Sequence, residues 1–206
     1  MNMLFKPQFG ILCVLLIASL ATISLADPDA KPLKNDEIKK QGTLLIESFS
    51  KDLQANLKKA IKEGGLPNGI NACALQAPEI ASNYSQQGWQ VKRTSLKVRN
   101  PANAPTAEEM DVLEIFESGK AGGKAISDLT YYRVTETETQ RVHHLMQAIS
   151  TQPLCLGCHG AILASEVQSV LNDVYPDDQA TGFKEGDIRG AFSLFYIETL
   201  SSSETK

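Results

Sequence analysis

Cys155-Leu156-Gly157-Cys158-His159 places two thiols and an imidazole at fixed, close spacing. Two cysteines three residues apart project from one side of a turn. In that arrangement both sulfurs reach the two vinyl groups on one edge of a porphyrin. The next side chain, an imidazole, then lies beneath the iron. This is the attachment pattern of c-type haem. Gly157 and Gly160 let the backbone pass close to a flat macrocycle. Paired cysteines also serve thioredoxin-type redox chemistry and zinc binding. The first needs a βαβ setting and the second needs another Cys or His pair at suitable spacing. The flanking sequence offers neither. The expectation is one covalently attached haem c, held by Cys155 and Cys158, with His159 as proximal iron ligand.

The N-terminus bears on the remaining cysteines. Lys6 precedes an apolar run from Ile11 to Ala18, and Ser24-Leu25-Ala26 supplies small residues for cleavage after Ala26. This reads as a secretory signal peptide rather than a membrane anchor. Cys13 lies inside the apolar core, with no small residue directly before it, which argues against a lipoprotein. Export places the chain in an oxidising compartment, where cysteines pair. Three remain after cleavage, Cys73, Cys155 and Cys158, so at least one has another task.

A haem iron accepts a second axial ligand. The candidates are Cys73, His143, His144, Met146 and Met110. His143 and His144 are neighbours in a strand pattern and face opposite ways, so at most one could reach a haem. Met146 shares the face of His144, and Met110 is expected to pack in a short helix. Cys73 falls on the apolar face of a helix, among small residues that would admit a macrocycle. A buried free thiol and an iron ligand both suit that position, and the residue pattern leaves both open.

Several elements must position these groups. Asn35 precedes a long helix from Asp36 to about Glu63, with Ile38, Leu45, Phe49, Leu53, Leu57 and Ile61 on one stripe. Gly64-Gly65 and Pro67 end it. A second helix is expected over Gly69–Gln86, with Pro78 as a kink or fresh start. Trp89–Val98 reads as a strand carrying Lys92, Arg93 and Lys97, with Arg99 just beyond. Thr106 and Glu109 form a capping box for a helix through Glu117. Ala125–Thr137 and Thr139–Ile149 read as two antiparallel strands. A helix over Ser165–Asn172 and a strand over Asp187–Thr199 complete the order. Helices followed by several antiparallel strands indicate an α+β domain. The expected organisation is a signal peptide at 1–26, a flexible leader at 27–34, a haem domain at 35–200 and a disordered tail at 201–206. The net charge of −4 and the lack of a basic stripe exclude a nucleic-acid footprint.

Four segments resemble a bacterial family of c-type haem domains that occur alone or as sensor modules of signalling proteins. They are Asn71-Ala72-Cys73-Ala74-Leu75-Gln76-Ala77-Pro78-Glu79-Ile80-Ala81, the stretch from Arg93 to Pro105, Cys155–Gly160, and Gly186-Asp187-Ile188-Arg189-Gly190-Ala191-Phe192-Ser193. The resemblance implies a PAS-like antiparallel sheet flanked by helices. It also implies His/Cys ligation, carried here by His159 and Cys73. Arg93, Lys97, Arg99 and Asn100 are suitable donors to haem propionates, Arg through its bidentate fork. A solvated strand face would carry the same residues, and the resemblance adds weight to Arg93 and Asn100.

These readings together describe a soluble, periplasmic, mono-haem cytochrome with no membrane span once the signal is removed. Its expected role is that of a redox sensor or a sensor of a diatomic gas. It would hand the signal to a separate redox or signalling protein. Periplasmic electron transfer is the alternative. A haem enzyme is not expected, because turnover needs an open distal site with acid–base groups.

Overall fold

Apolar residues spaced along one stripe set the first element. α1 (Asn35–Tyr84) buries Ile38, Ile46 and Phe49. The computed structural model describes residues 34–200; the expected signal peptide, all but Lys34 of the leader, and the tail at 201–206 lie outside the described residues. α1 is broken at Gly64 and Gly65, where Gly65 adopts φ +71°. The residues after the break run back along those before it. Asn68 Nδ2 donates to the Ala60 carbonyl (2.9 Å), and the Tyr84 hydroxyl donates to Asp52 Oδ2 (2.7 Å). The sequence places the stop at this glycine pair. Pro78 lies within the second half without ending it.

Four strands form one antiparallel sheet: β1 (Trp89–Thr94), β2 (Thr130–Glu136), β3 (Gln140–Ser150) and β4 (Ile188–Thr199), in the order β1-β4-β3-β2. The period-2 alternation gives each face its own partner. Trp89, Val91, Leu145, Phe192 and Leu194 pack against Ile38, Ile46 and Phe49 of α1. On the other face, Met146, Ala148 and Ala191 pack against Val112, Leu113 and Phe116 of α2 (Ala107–Ala121). Burying a side chain of this size stabilises the fold by roughly 1.5–3 kcal/mol. The capping box at the start of α2 forms as the sequence predicts: Glu109 N donates to Thr106 Oγ1 (3.3 Å) and Thr106 N to Glu109 Oε2 (2.8 Å). Two shorter helices, α3 (Leu156–His159) and α4 (Ser165–Val174), lie between β3 and β4. The architecture is α+β, with a long N-terminal helix and helices flanking an antiparallel sheet. Among the described residues, no helix is long and apolar enough to cross a membrane.

Two strand boundaries differ from the sequence expectation by several residues, and others by a single residue. Residues 126–128 form a 3-10 turn, so β2 begins only at Thr130. β1 stops at Thr94 rather than Val98. The cause lies opposite it: Gly190 has φ +154°, and its backbone passes so close to the Thr94 carbonyl that a Cβ would collide with it. Beyond that point the Ser95 side chain replaces the ladder. Its Oγ donates to the Arg189 carbonyl (2.8 Å) and accepts from Lys97 N (3.1 Å). Gly190→Ala should therefore cost about 2–3 kcal/mol, from a backbone conformation alanine rarely adopts and from a contact with rigid main chain. Urea unfolding midpoints of the two proteins check this; an unchanged midpoint would refute it.

Candidate functional site

The Cys-x-x-Cys-His segment folds into a single tight turn. Residues Pro153–Cys155 form a 3-10 turn that runs directly into α3, and Gly160 ends it with its N–H donated to the Leu156 carbonyl (2.9 Å). Cys155, Cys158 and His159 thus share one short helical stretch. Gly157 packs closely on the second half of α1: a Cβ there would come within 2.9 Å of Leu66 Cδ1, so the leucine side chain would have to shift. Ile70 of that half, with Val167, Leu171 and Tyr175, forms an apolar cluster into which Cys158 packs. Cys73 lies on the same half of α1. All three cysteines are free and partly buried. Burial raises the pKa of both Cys73 and Cys158, and the neighbouring thiols add to it in the same direction: Cys155 at Cys73, and Cys73 and Cys155 at Cys158.

His159 is oriented by main chain. Its Nδ1–H donates to the Ala180 carbonyl at 2.7 Å. That bond fixes the tautomer and leaves Nε2 with its lone pair, the form that binds a metal. Burial, with Arg189 and Arg99 nearby, pushes the His159 pKa down to about 2, so the ring is neutral. The loop that carries Ala180 is bonded to the turn at further points. Phe183 N donates to the His159 carbonyl (2.9 Å) and Gly182 N to that of Gly160 (3.0 Å). Arg99 Nη2 donates to the Cys158 carbonyl (2.6 Å).

Three guanidiniums surround this cluster. Arg99 forks onto Asp178 (Nε–Oδ1 3.1 Å, Nη2–Oδ2 2.8 Å). Arg189 places Nε 3.3 and 3.4 Å from the two ring nitrogens of His159, and its Nη1 donates to Ser95 Oγ (3.0 Å). Arg93 makes no ion pair and no side-chain hydrogen bond among the described residues, although burial lowers its pKa against the fields of Cys73 and Tyr175. Among the described residues, only Asp178 forms an ion pair with any of these three cations. The site therefore carries unbalanced positive charge, which a cofactor bearing carboxylates would neutralise. The same cations act on Cys73: burial pushes its thiol pKa up, and Arg93, Arg99 and Arg189 pull it down. Free thiols on one turn, a neutral imidazole with its lone pair on Nε2, an apolar wall and surplus guanidinium charge are the donor set that suits a haem with its propionates.

The other residues singled out by sequence lie in different surroundings. Asn100 accepts from Ala102 N through Oδ1 (3.0 Å) and so caps the 3-10 turn at Pro101–Asn103. Lys97 Nζ donates to the Thr181 carbonyl (3.2 Å) and lies 5.1 Å from the centre of the Phe183 ring. His143 bridges the Tyr132 hydroxyl (2.8 Å) and Glu198 (3.1 Å) on the α1 face of the sheet. His144 spans Glu108 (3.4 Å) and Ser193 (2.9 Å) on the α2 face. Met146 is buried against α2. Met110, expected to pack, is exposed on α2. None of these four joins the Cys155–His159 cluster in the contacts above. Sequence reasoning did not single out Asp178, Ala180 or Tyr175. A carbonyl acceptor carries no sequence signature, and Asp178 reads as one acid in a polar loop.

Residues 32–196 match the family model described as Tll0287-like: Tll0287. The fold is similar to that in the crystal structure of the cyanobacterial heme-protein Tll0287, at 26% identity and a TM-score of 0.55, covering 79% of this chain and 95% of that one. No curated protein matches.

His144 generates a pH prediction. Burial holds its pKa below the ordinary value despite Glu108. The unfolded chain takes up this proton near pH ~6.5, whereas the fold refuses it until lower pH, so stability is lost as pH falls through that window. Urea midpoints should drop between about pH 7.5 and about pH 5, and His144→Gln should reduce that slope. An unchanged slope in the variant would exclude the assignment.

Proposed function

The chain belongs to the Tll0287-like family, and from that premise we propose that it is an exported mono-haem c-type cytochrome with iron held between His159 and Cys73, acting as a redox or diatomic-gas sensor. The observation that carries this reading is the His159–Ala180 bond, which leaves the lone pair of a neutral imidazole on Nε2, facing Arg189 Nε, beside two free thiols. Haem in such a site supplies a one-electron change at iron and, where a coordination position opens, a place for a small ligand. Cys155 and Cys158 would bond its vinyl groups. Arg93 and Arg189 are the cations suited to its propionates, since neither has a carboxylate partner among the described residues. The four-stranded antiparallel sheet with helices on both faces supports a PAS-like reading.

Cys73 supplies the switch in this account. As thiolate it donates electron density and favours ferric iron, which lowers the potential relative to a His/Met site. Burial outweighs the pull of three guanidiniums and raises the thiol pKa, so reduction or acid would favour release of the protonated thiol. A released Cys73 would open the site to carbon monoxide or nitric oxide. A partner protein would then read the change. Export through the expected signal peptide would let this chain meet that partner in the periplasm.

A second reading, electron transfer, draws support from exposed apolar residues next to the site residues in sequence. Ile162 is 92% and Leu75 76% exposed, three and two positions from His159 and Cys73. Such residues suit brief contact with a redox partner. Paramagnetic resonance of the ferric protein beside Cys73→Ala tests the ligand assignment. Low-spin thiolate signals should be present in the parent and lost in the variant. Reduced parent protein should bind carbon monoxide as Cys73 departs. Identical ferric spectra in parent and variant would refute Cys73 ligation, and reduced protein that ignores carbon monoxide at every pH would favour transfer over gas sensing.

A further inference from the structure

A buried ion pair beside the haem-binding turn supplies a further inference, one that rests on the reading of His159 as an iron ligand. Arg99 follows β1 and Asp178 lies in the loop between α4 and β4. Each side chain is only 9% exposed. Their fork has Nε–Oδ1 at 3.1 Å and Nη2–Oδ2 at 2.8 Å. Both partners then reach the same backbone. Asp178 Oδ1 accepts from Ala180 N (2.8 Å), and Arg99 Nη2 donates to the Ala180 carbonyl (3.3 Å) and to the Cys158 carbonyl (2.6 Å). The Ala180 carbonyl is the acceptor of His159 Nδ1–H. Val98 O accepts from Gln179 N (2.9 Å), tying the two segments together.

We propose that Arg99 and Asp178 are positioning residues that fix the imidazole of His159 and set the charge felt by the metal it binds. Three contacts converge on one carbonyl and one turn, so the pair fixes the loop to the haem-binding turn. Electrostatics adds a signed effect. The guanidinium shares an acceptor with the imidazole and favours the lower charge state of a metal there, which is the ferrous one. Arg99 also competes for the Ala180 oxygen. Without it the carbonyl would draw more strongly on Nδ1–H, make the imidazole more anionic and favour ferric iron. Both effects of Arg99 raise the reduction potential. Asp178 offsets the cation, so removing its charge exposes Arg99 fully.

The test is a redox titration, followed by absorbance, of the exported haem-loaded protein and of R99Q, R99K and D178N, reading only the loaded fraction. R99Q should shift the midpoint potential downward and D178N upward. R99K, which keeps the charge, should stay near the parent. These opposite signs separate the role from simple structural support, which would cost yield of loaded protein without moving the potential in a charge-dependent direction. If R99Q does not load, D178N and R99K decide the matter by the same signs. Shifts of one sign for R99Q and D178N, or none in D178N, would overturn the proposal. Parent protein that carries no haem, or whose haem lacks an imidazole ligand signature, would overturn the site reading itself and this proposal with it.

Discussion

One hydrogen bond orders the site: His159 Nδ1–H to the Ala180 carbonyl, at 2.7 Å. An imidazole has two nitrogens and, when neutral, one proton to place between them. Giving that proton to a fixed carbonyl decides which nitrogen stays basic and where it points. The rest of the local structure serves this arrangement. The loop holding Ala180 is bonded to the turn holding His159 through Phe183 and Gly182, and through Arg99 with Asp178. A neutral histidine among three guanidiniums is also the protonation state that the surroundings demand, since another cation there would be opposed by burial and by Arg189 and Arg99 alike.

The fold explains why such a site survives at one end of the sheet. Each face of the sheet has its own helix, α1 on one side and α2 on the other, and each interface is apolar. The core is therefore complete without the site. The break at Gly64–Gly65 turns the second half of α1 back, and that half brings Leu66, Ile70 and Cys73 to the turn at Cys155–His159. At the sheet's end, the close passage of Gly190 under Thr94 terminates β1. The freed segment beyond it carries Ser95, Lys97 and Arg99 into contact with Arg189, Thr181 and Asp178.

Much of the fold was legible in the sequence, because local rules carried it. The glycine pair, the Thr106–Glu109 capping box and the alternation of β3 and β4 need no knowledge of distant partners. Boundaries failed where a distant partner decided them: β1 ends early because of Gly190, nearly a hundred residues away in the chain. The site divides the same way. That Cys155, Cys158 and His159 share one short turn follows from their spacing alone. The opposite facing of His143 and His144 follows from the pleat, yet that each is engaged with Glu198 or Glu108 depends on tertiary register. Arg99 was visible only as one of several basic residues. Its pairing with Asp178, and the Ala180 carbonyl between them, depend on how a loop closes, which no local pattern encodes.

The account stands on a porphyrin joined covalently to Cys155 and Cys158. Intact mass of the exported protein, measured after acid denaturation, tests this directly. The account predicts one haem retained on the unfolded chain, and its loss when both cysteines are replaced by alanine. A bare polypeptide mass, or the two sulfurs joined to each other in a disulfide, would contradict it.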